Sequence, residues 1–216
     1  MGKVFKVYFS HWTIWVYIFL SFKLALLLLL TKSFLSLGTC FIIVILLAPF
    51  TEWLLHKYVL HGTYDPPNEL ISNYMERLHV GHHREPQKVD YFFAPLSAGL
   101  TLPISFLFFI LIFTQNLNWA ASFSLSITLY FLFYEWIHLA HHIDEYKPKT
   151  QWGRRLKKAH KWHHFKNENY WWGITSALGD DILQTFPKPQ GVSKSETVLD
   201  LEKRYGKEAA ITIKDY

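Results

Sequence analysis

The sequence predicts an all-α integral membrane protein: four transmembrane helices under a helical cap on one membrane face. Three observations predict it. Residues 33–51 and 91–134 carry no charged side chain. Eleven of the twelve histidines fall in four short segments, 56–61, 79–83, 138–142 and 160–164. Twenty of the 22 Lys and Arg lie in residues 1–10, 56–90 or 140–216, which an even number of spans gathers on one side.

A bilayer core takes roughly 20 apolar helical residues. The charge-free stretch 91–134 is long enough for two spans and a tight turn. Trp12 to Thr31 is a further candidate, interrupted only by Lys23, which can snorkel or face a helix neighbour. The expected spans are about 10–31, 34–55, 94–114 and 118–139. The runs LALLLLL and FIIVILLA argue against a soluble protein with a large helical core. The N-terminal apolar run is too long for a signal peptide, and no small-residue cleavage site follows it. MGKVFK lacks the Ser or Thr of a myristoylation signal. Cys40 is the lone cysteine, so there is no disulfide framework.

The charge distribution orients the chain. The positive-inside rule places the basic regions, both termini and the cap in the cytoplasm. The net charge of +5 then speaks of anionic lipid head groups. No nucleic-acid motif is present, and no nucleic-acid partner is expected.

In chain order, residues 1–11 form a short lead with Trp12, Trp15 and Tyr17 near the interface, and His11 reads as an ordinary interfacial histidine. Span 2 runs into TEWLLHKYVLH. His56 and His61 are five apart, about 140° on an ideal helix, so they reach two metals or one lies past a helix break. Residues 62–75, with Asp-Pro-Pro and Asn, signal a loop. His79, His82 and His83 have the i, i+3, i+4 spacing of one helix face, weakened by Gly81 and ended by Pro86. Pro95 and Pro103 start or kink span 3, and Gln115–Asn118 is the far-side turn. Span 4 ends in YEWIHLAHH, where His138, His141 and His142 can point one way. Residues 150–158 read as a basic interfacial helix leading into His160, His163 and His164. The aromatic stretch 169–186 packs under the site. After the linker 187–193, Ser193 and Glu196 form a candidate capping box for a charged helix to about 209.

A lone histidine is usually structural. Here the signal is joint, because topology brings all four clusters to one membrane face. Neutral imidazole is the commonest ligand for transition metals, and eleven imidazoles suit a pair of ions with four or five each. There is no H-E-x-x-H, so the general base of a zincin peptidase is missing. Intramembrane metal transport would place histidines inside the spans. An all-nitrogen, two-metal site beside lipid suits oxygen activation by iron. Glu52 and Glu135 share faces with His56 and His138 and are candidates to orient an imidazole from the outer shell. Asp144, Asp180 and Asp181 are further acidic candidates on weaker grounds.

At EWLLHKYVLH, RLHVGHH, YEWIHLAHH and KKAHKWHHFKNENYWWGITS the chain resembles the membrane fatty acid hydroxylase and sterol desaturase superfamily. It is most similar to the fatty acid 2-hydroxylase branch. The resemblance covers about residues 50–187. It implies a dinuclear metal centre working with O2 and an electron donor. The ligands it implies are His56, His61, His79, His82, His83, His138, His142, His160, His163 and His164. Related chains have H-x-x-x-H in the third motif, and His141 fills one x. Either His141 or His142 fits by spacing; His142 is preferred and His141 is placed in the outer shell with Glu52, Glu135, Asp180 and Asp181.

Eukaryotic relatives often carry an N-terminal cytochrome b5 domain with a His-Pro-Gly-Gly motif, which these residues lack. The expectation is therefore a separate redox partner, cytochrome b5- or ferredoxin-like, with its reductase. A bacterial inner membrane is expected in preference to the endoplasmic reticulum. The expected organisation is a hydroxylase domain over 1–187, with cap segments 56–90 and 140–187, and a polar tail over 188–216. The expected function is O2-dependent 2-hydroxylation of membrane-lipid acyl chains by two Fe ions, with Zn able to replace them in purified protein. The alternatives are a sterol or carotenoid hydroxylase or desaturase of the same superfamily, and a zinc-binding membrane protein without redox chemistry.

Overall fold

The computed structural model describes residues 2–62, 68–86 and 88–206. Among these residues every regular element is helical. Four stretches are long and apolar enough to cross a membrane: Trp12–Leu30, Phe34–Leu60, Val89–Thr114 and Leu117–His142. They match the four spans expected from the charge-free runs.

Helix α1 (Gly2–Ser10) breaks at His11, whose extended backbone opens α2 (Trp12–Leu30). Lys32, in the left-handed region at φ 53°, turns the chain into α3 (Phe34–Leu54). A π-helical stretch, Leu55–Leu60, continues α3. The segment expected as a loop holds α4 (Glu69–Met75), capped by the Asn68 side chain accepting from Leu70 N at 2.8 Å. The Asp-Pro-Pro part of that expectation lies outside the described residues. A second π-helical stretch, Glu76–Val80, leads into α5 (Gly81–Arg84). Pro95 starts α6 (Leu96–Thr114), and Gln115 at φ 50° ends it. Then come α7 (Leu117–His142), α8 (Gln151–Phe165), α9 (Leu178–Ile182) and α10 (Glu196–Tyr205). The cap of α10 is Ser195, which accepts from Val198 N, rather than Ser193. Residues expected to prolong α10 beyond 206 lie outside the described residues.

The chain divides into two compact units, one of residues 6–48 and 95–136, the other of 1–5, 49–94 and 137–216. In the first, Leu28 of α2 packs on Ala121 and Leu125 of α7, with Leu24, Leu27 and Leu37 around them. Lipid tails are as apolar as leucine, so close fit rather than water exclusion holds such helices together. Two features supply it. A Cβ on Gly99 would lie 2.2 Å from the Tyr17 hydroxyl and 2.6 Å from the Phe131 ring. Ser36 and Ser122 share a buried hydrogen bond at 3.0 Å. Lys23 is exposed, its ammonium 5.2 Å from the Phe19 ring centre.

The second unit is organised by α8. Thr150 caps its N-terminus by accepting from Gly153 N at 3.0 Å. Its buried face carries Leu156, Lys157, Ala159, His160, His163 and His164. The buried Lys157 ammonium donates to the carbonyls of Ala140, in the last turn of α7, and of Ile143 and Tyr146, in the turn that follows it. Ala140 O is one of the last four carbonyls of α7, which lack a helical donor, so Lys157 serves as a side-chain cap there. Burial pushes its amine down to about 8. The lysine stands three and seven residues before His160 and His164, a spacing that already marks it as inward-facing.

Candidate metal centre

The eleven clustered histidines resolve into two groups of five and one remainder. His56, His61, His79, His83 and His163 offer ring nitrogens within 4.8 Å of one another, and so do His82, His138, His142, His160 and His164. We call these the first and second pentads. Both lie in the unit of residues 1–5, 49–94 and 137–216. They adjoin along His83 and His164, whose rings stack at 4.0 Å and 13°.

Local helix geometry explains the sorting. His56 and His61 join the same pentad, although an α-helix would splay them. The π-helical turn hydrogen-bonds i to i+5, and His61 N donates to His56 O at 3.1 Å, which brings His61 back over His56. The expectation that one H-x-x-H-H set points one way is corrected at 79–83 and 160–164. In each, the i and i+4 residues enter one pentad and the i+3 residue the other. On a helix i+4 lies about 40° to one side of i, and i+3 about 60° to the other. A helix running past both pentads therefore serves both. His79 and His83 go to the first and His82 to the second; His160 and His164 go to the second and His163 to the first. Gly81 is needed there, since a Cβ would meet Glu76 O at 2.8 Å and the Tyr91 ring at 3.0 Å.

His141 falls outside both pentads. It is buried with its ring 5.4 Å from that of His160. His142 stacks on Phe92 at 4.8 Å and places Nε2 2.8 Å from Nε2 of His160. His11 is elsewhere, hydrogen-bonded to Thr13 at 2.7 Å.

The proton positions show what the pentads fit. A backbone carbonyl only accepts, so an imidazole nitrogen facing one carries the proton. His56 Nδ1 faces Trp172 O at 2.5 Å, His163 Nδ1 faces Tyr170 O at 2.8 Å, and His138 Nδ1 faces Phe92 O at 3.2 Å. Their Nε2 atoms are then bare lone pairs. These point inward, at Nε2 of His79, His61 and His82 at 3.2, 3.2 and 2.9 Å. His79 Nε2 also lies 2.8 Å from His61 Nε2 and 3.0 Å from His83 Nε2. One N–H proton cannot serve three lone pairs, whereas a cation among them serves all. In the second pentad both ring nitrogens of His164 are buried without a hydrogen-bond partner among the described residues. Burial first, and neighbouring imidazoles second, hold His61, His79, His82, His83, His160, His163 and His164 well below the usual histidine range. Neutral imidazole is the ligating form.

The acidic residues divide. Glu52 is buried and accepts from Ile174 N, from Thr175 N at 2.9 Å and from the Thr175 hydroxyl at 2.7 Å. Asp180 is buried and accepts from Trp172 N at 3.0 Å, Gly173 N at 2.7 Å and the Thr185 hydroxyl at 2.5 Å. Burial raises the Asp180 pKa against these hydrogen bonds. Both carboxylates thus fasten residues 170–176, the strap whose carbonyls face His56 and His163. The strap is tightly wound: Trp171 has φ 58°, and a Cβ on Gly173 would meet Ser176 O at 2.0 Å. Glu135 is buried in the other unit. Asp181 is corrected: it is exposed and pairs with Arg155 rather than with an imidazole. Asp144 pairs with Lys161. Sequence reasoning missed the carbonyls of Phe92, Tyr170 and Trp172, because a backbone acceptor leaves no residue type to find.

Comparisons with known proteins agree with this architecture. The family model described as fatty acid hydroxylase matches residues 41–185, about two thirds of the chain. The dihydroceramide fatty acyl 2-hydroxylases FAH2 and FAH1 of Arabidopsis thaliana are 27% and 26% identical over 145 and 147 residues. Those alignments cover 66% and 68% of this chain, but only 58% and 60% of the relatives. The solved structure of full-length scs7p, with only its hydroxylase domain visible, superposes with a TM-score of 0.67 at 20% identity. That match covers 82% of this chain and 65% of the other, and it shows a shared fold. The chain belongs to the fatty acid hydroxylase family.

Proposed function

We propose that this protein is a membrane lipid hydroxylase that uses two iron ions and O2 to place a hydroxyl on C2 of a fatty acyl chain. The observation that carries the reading is the pair of adjoining, buried, all-imidazole pentads in a chain of this family. The net reaction replaces one C–H bond by C–OH. It consumes O2, two electrons and two protons, and releases water.

The ten pentad histidines are the proposed ligands, five to each metal. When bound, the metals supply the redox chemistry that no side chain can, oxidising an unactivated C–H bond with O2. The protein's part is orientation and exclusion. Trp172 O and Tyr170 O hold the Nδ1 protons of His56 and His163, so both rings present Nε2 inward. Phe92 O does the same for His138. Glu52 and Asp180 are positioning residues that act through the strap. His141 and Glu135 are left in supporting positions. Burial of nine of the ten ligating rings keeps bulk water from the reacting centre.

The arrangement of the elements supports this position of attack. His56, His138 and His142 sit at the ends of candidate spans, near head-group depth. A lipid entering from the bilayer brings its first acyl carbons there before any others. Both Arabidopsis relatives are named as acyl 2-hydroxylases. Electrons come from a separate cytochrome b5- or ferredoxin-like protein and its reductase. Residues 1–187 form the hydroxylase domain, and both termini and the site face the cytoplasm.

The test is expression in cells lacking 2-hydroxy lipids, with the hydroxyl mapped by mass-spectrometric fragmentation. The expected product is a 2-hydroxyacyl lipid whose formation needs O2. Hydroxyls only at mid-chain or on a ring lipid would overturn the 2-hydroxylase reading. Bound zinc with no lipid conversion under any donor would overturn the oxygenase.

A further inference from the structure

Helix α8 carries five cationic side chains between Arg154 and Lys161, and the structure separates them by job. Lys157 is buried on the end of α7, and Lys161 is paired with Asp144. Arg154, Arg155 and Lys158 are exposed and line one groove of about 310 Å³ with Gln151, Trp162 and Phe186. Among the described residues no acidic side chain lines it. Arg155 is fixed in place: its guanidinium lies 4.2 Å over the Phe186 ring, and its outer edge donates to Asp181 at 2.9 Å. Arg154 is tethered by donating to Lys149 O at 2.7 Å. Arg155 shares its charge with Asp181, so Arg154 and Lys158 supply most of the groove's positive charge.

What lies beside the groove names its occupant. Asp181 belongs to α9, which seats Gly179 against the end of α3, where a Cβ would come within 2.8 Å of Pro49 O. The α3 segment leading to that point carries no charge from Ser33 to Thr51. From this seat Leu178, Ile182 and Leu183 remain 46%, 56% and 44% exposed. Three large apolar side chains at the end of an apolar span match acyl chains, and the adjoining cations match the phosphate above them. Trp152, half exposed on the first turn of α8, fits the same interface.

We propose that the groove of Arg154, Arg155, Lys158, Gln151, Trp162 and Phe186 binds the phosphodiester head group of an anionic membrane lipid, whose acyl chains cover Leu178, Ile182 and Leu183. The site rests on membrane embedding alone and stands whatever reaction the metals perform. An acidic soluble protein fits the cations but leaves the apolar residues of α9 in water.

The test is native mass spectrometry of the full chain released from micelles with equal amounts of dioleoyl phosphatidylglycerol and dioleoyl phosphatidylcholine. The parent should retain phosphatidylglycerol in preference. Arg154→Gln with Lys158→Gln should cut that preference roughly tenfold, while Arg154→Lys with Lys158→Arg should keep it. Metal content unchanged from the parent shows that the variants fold, and Lys158→Gln alone gives a milder version of the same loss. The proposal is overturned if the double Gln variant keeps the parental lipid ratio. It is overturned equally if millimolar inorganic phosphate strips the bound phosphatidylglycerol. Charge-dependent capture of an acidic redox protein, with lipid retention unchanged between parent and variant, assigns the groove to a protein and also overturns it.

Discussion

The two pentads hold the same number of imidazoles but are held in different ways. Helices α5 and α8 contribute to both. The first is completed by the π-helical turn after α3 and is braced by the strap of residues 170–176. The second is completed by α7, whose end is capped by Lys157, and is braced by Phe92. Regular helix thus carries the second pentad, while the first depends on an irregular turn and a loop fastened by two buried carboxylates. Damage to the supports should therefore separate the metals.

The largest effect is expected from the ligands themselves. His163→Ala should remove the first metal and His160→Ala the second, each abolishing hydroxylation. Elemental analysis of the two variants should read about one ion per chain instead of two, on the basis of five donors per ion. Equal loss of both metals in both variants would show that the pentads bind only as one unit, which erases the comparison.

Next come the strap carboxylates. Glu52→Gln and Asp180→Asn should weaken one metal by about 10- to 100-fold, the usual cost of losing outer-shell support. Chelator challenge should show biphasic release in both variants, with half the metal leaving early. Asp181→Asn, a surface change, should leave release unaltered. Matching behaviour of Asp181→Asn and Asp180→Asn would refute the strap.

Lys157→Met acts on the other side of the comparison. It strips a donor from three carbonyls in and just after the last turn of α7 and should cost about 1–3 kcal/mol. Thermal unfolding in detergent should shift down, with metal loss beginning in the second pentad. The smallest effect is expected at His11, whose hydrogen bond to Thr13 is local. His11→Ala should change neither metal content nor product.

Much of this was legible in the sequence. Spans announce themselves by the absence of charge, and histidines by clustering. The partition into pentads was not, because it depends on how the helix is wound. The π-helical turn at Leu55–Leu60 changes which residues stack, and no residue in LHKYVL announces it. Glu52 showed the right face but not the right partner. Its carboxylate holds backbone 122 residues away, a relation set by tertiary packing. Asp180 and Asp181 are neighbours in sequence with opposite fates, since a short helix turns one inward and the other toward Arg155. Ser195 rather than Ser193 caps α10, its hydroxyl donating to Glu168 while accepting from Val198 N.

The sharing of α8 also sets when the protein can be loaded. His61 and His163, whose Nε2 atoms lie 3.2 Å apart, are 102 residues apart in the chain. Every pentad lacks at least one imidazole until the segment Gln151–Phe165 has left the ribosome and docked. The strap that secures the first pentad is translated later still. On the proposed reading, metal insertion is a late event in biogenesis, acting on a chain already threaded through its membrane. A nascent polypeptide arrested before His160 carries seven of the ten imidazoles and neither finished binding site.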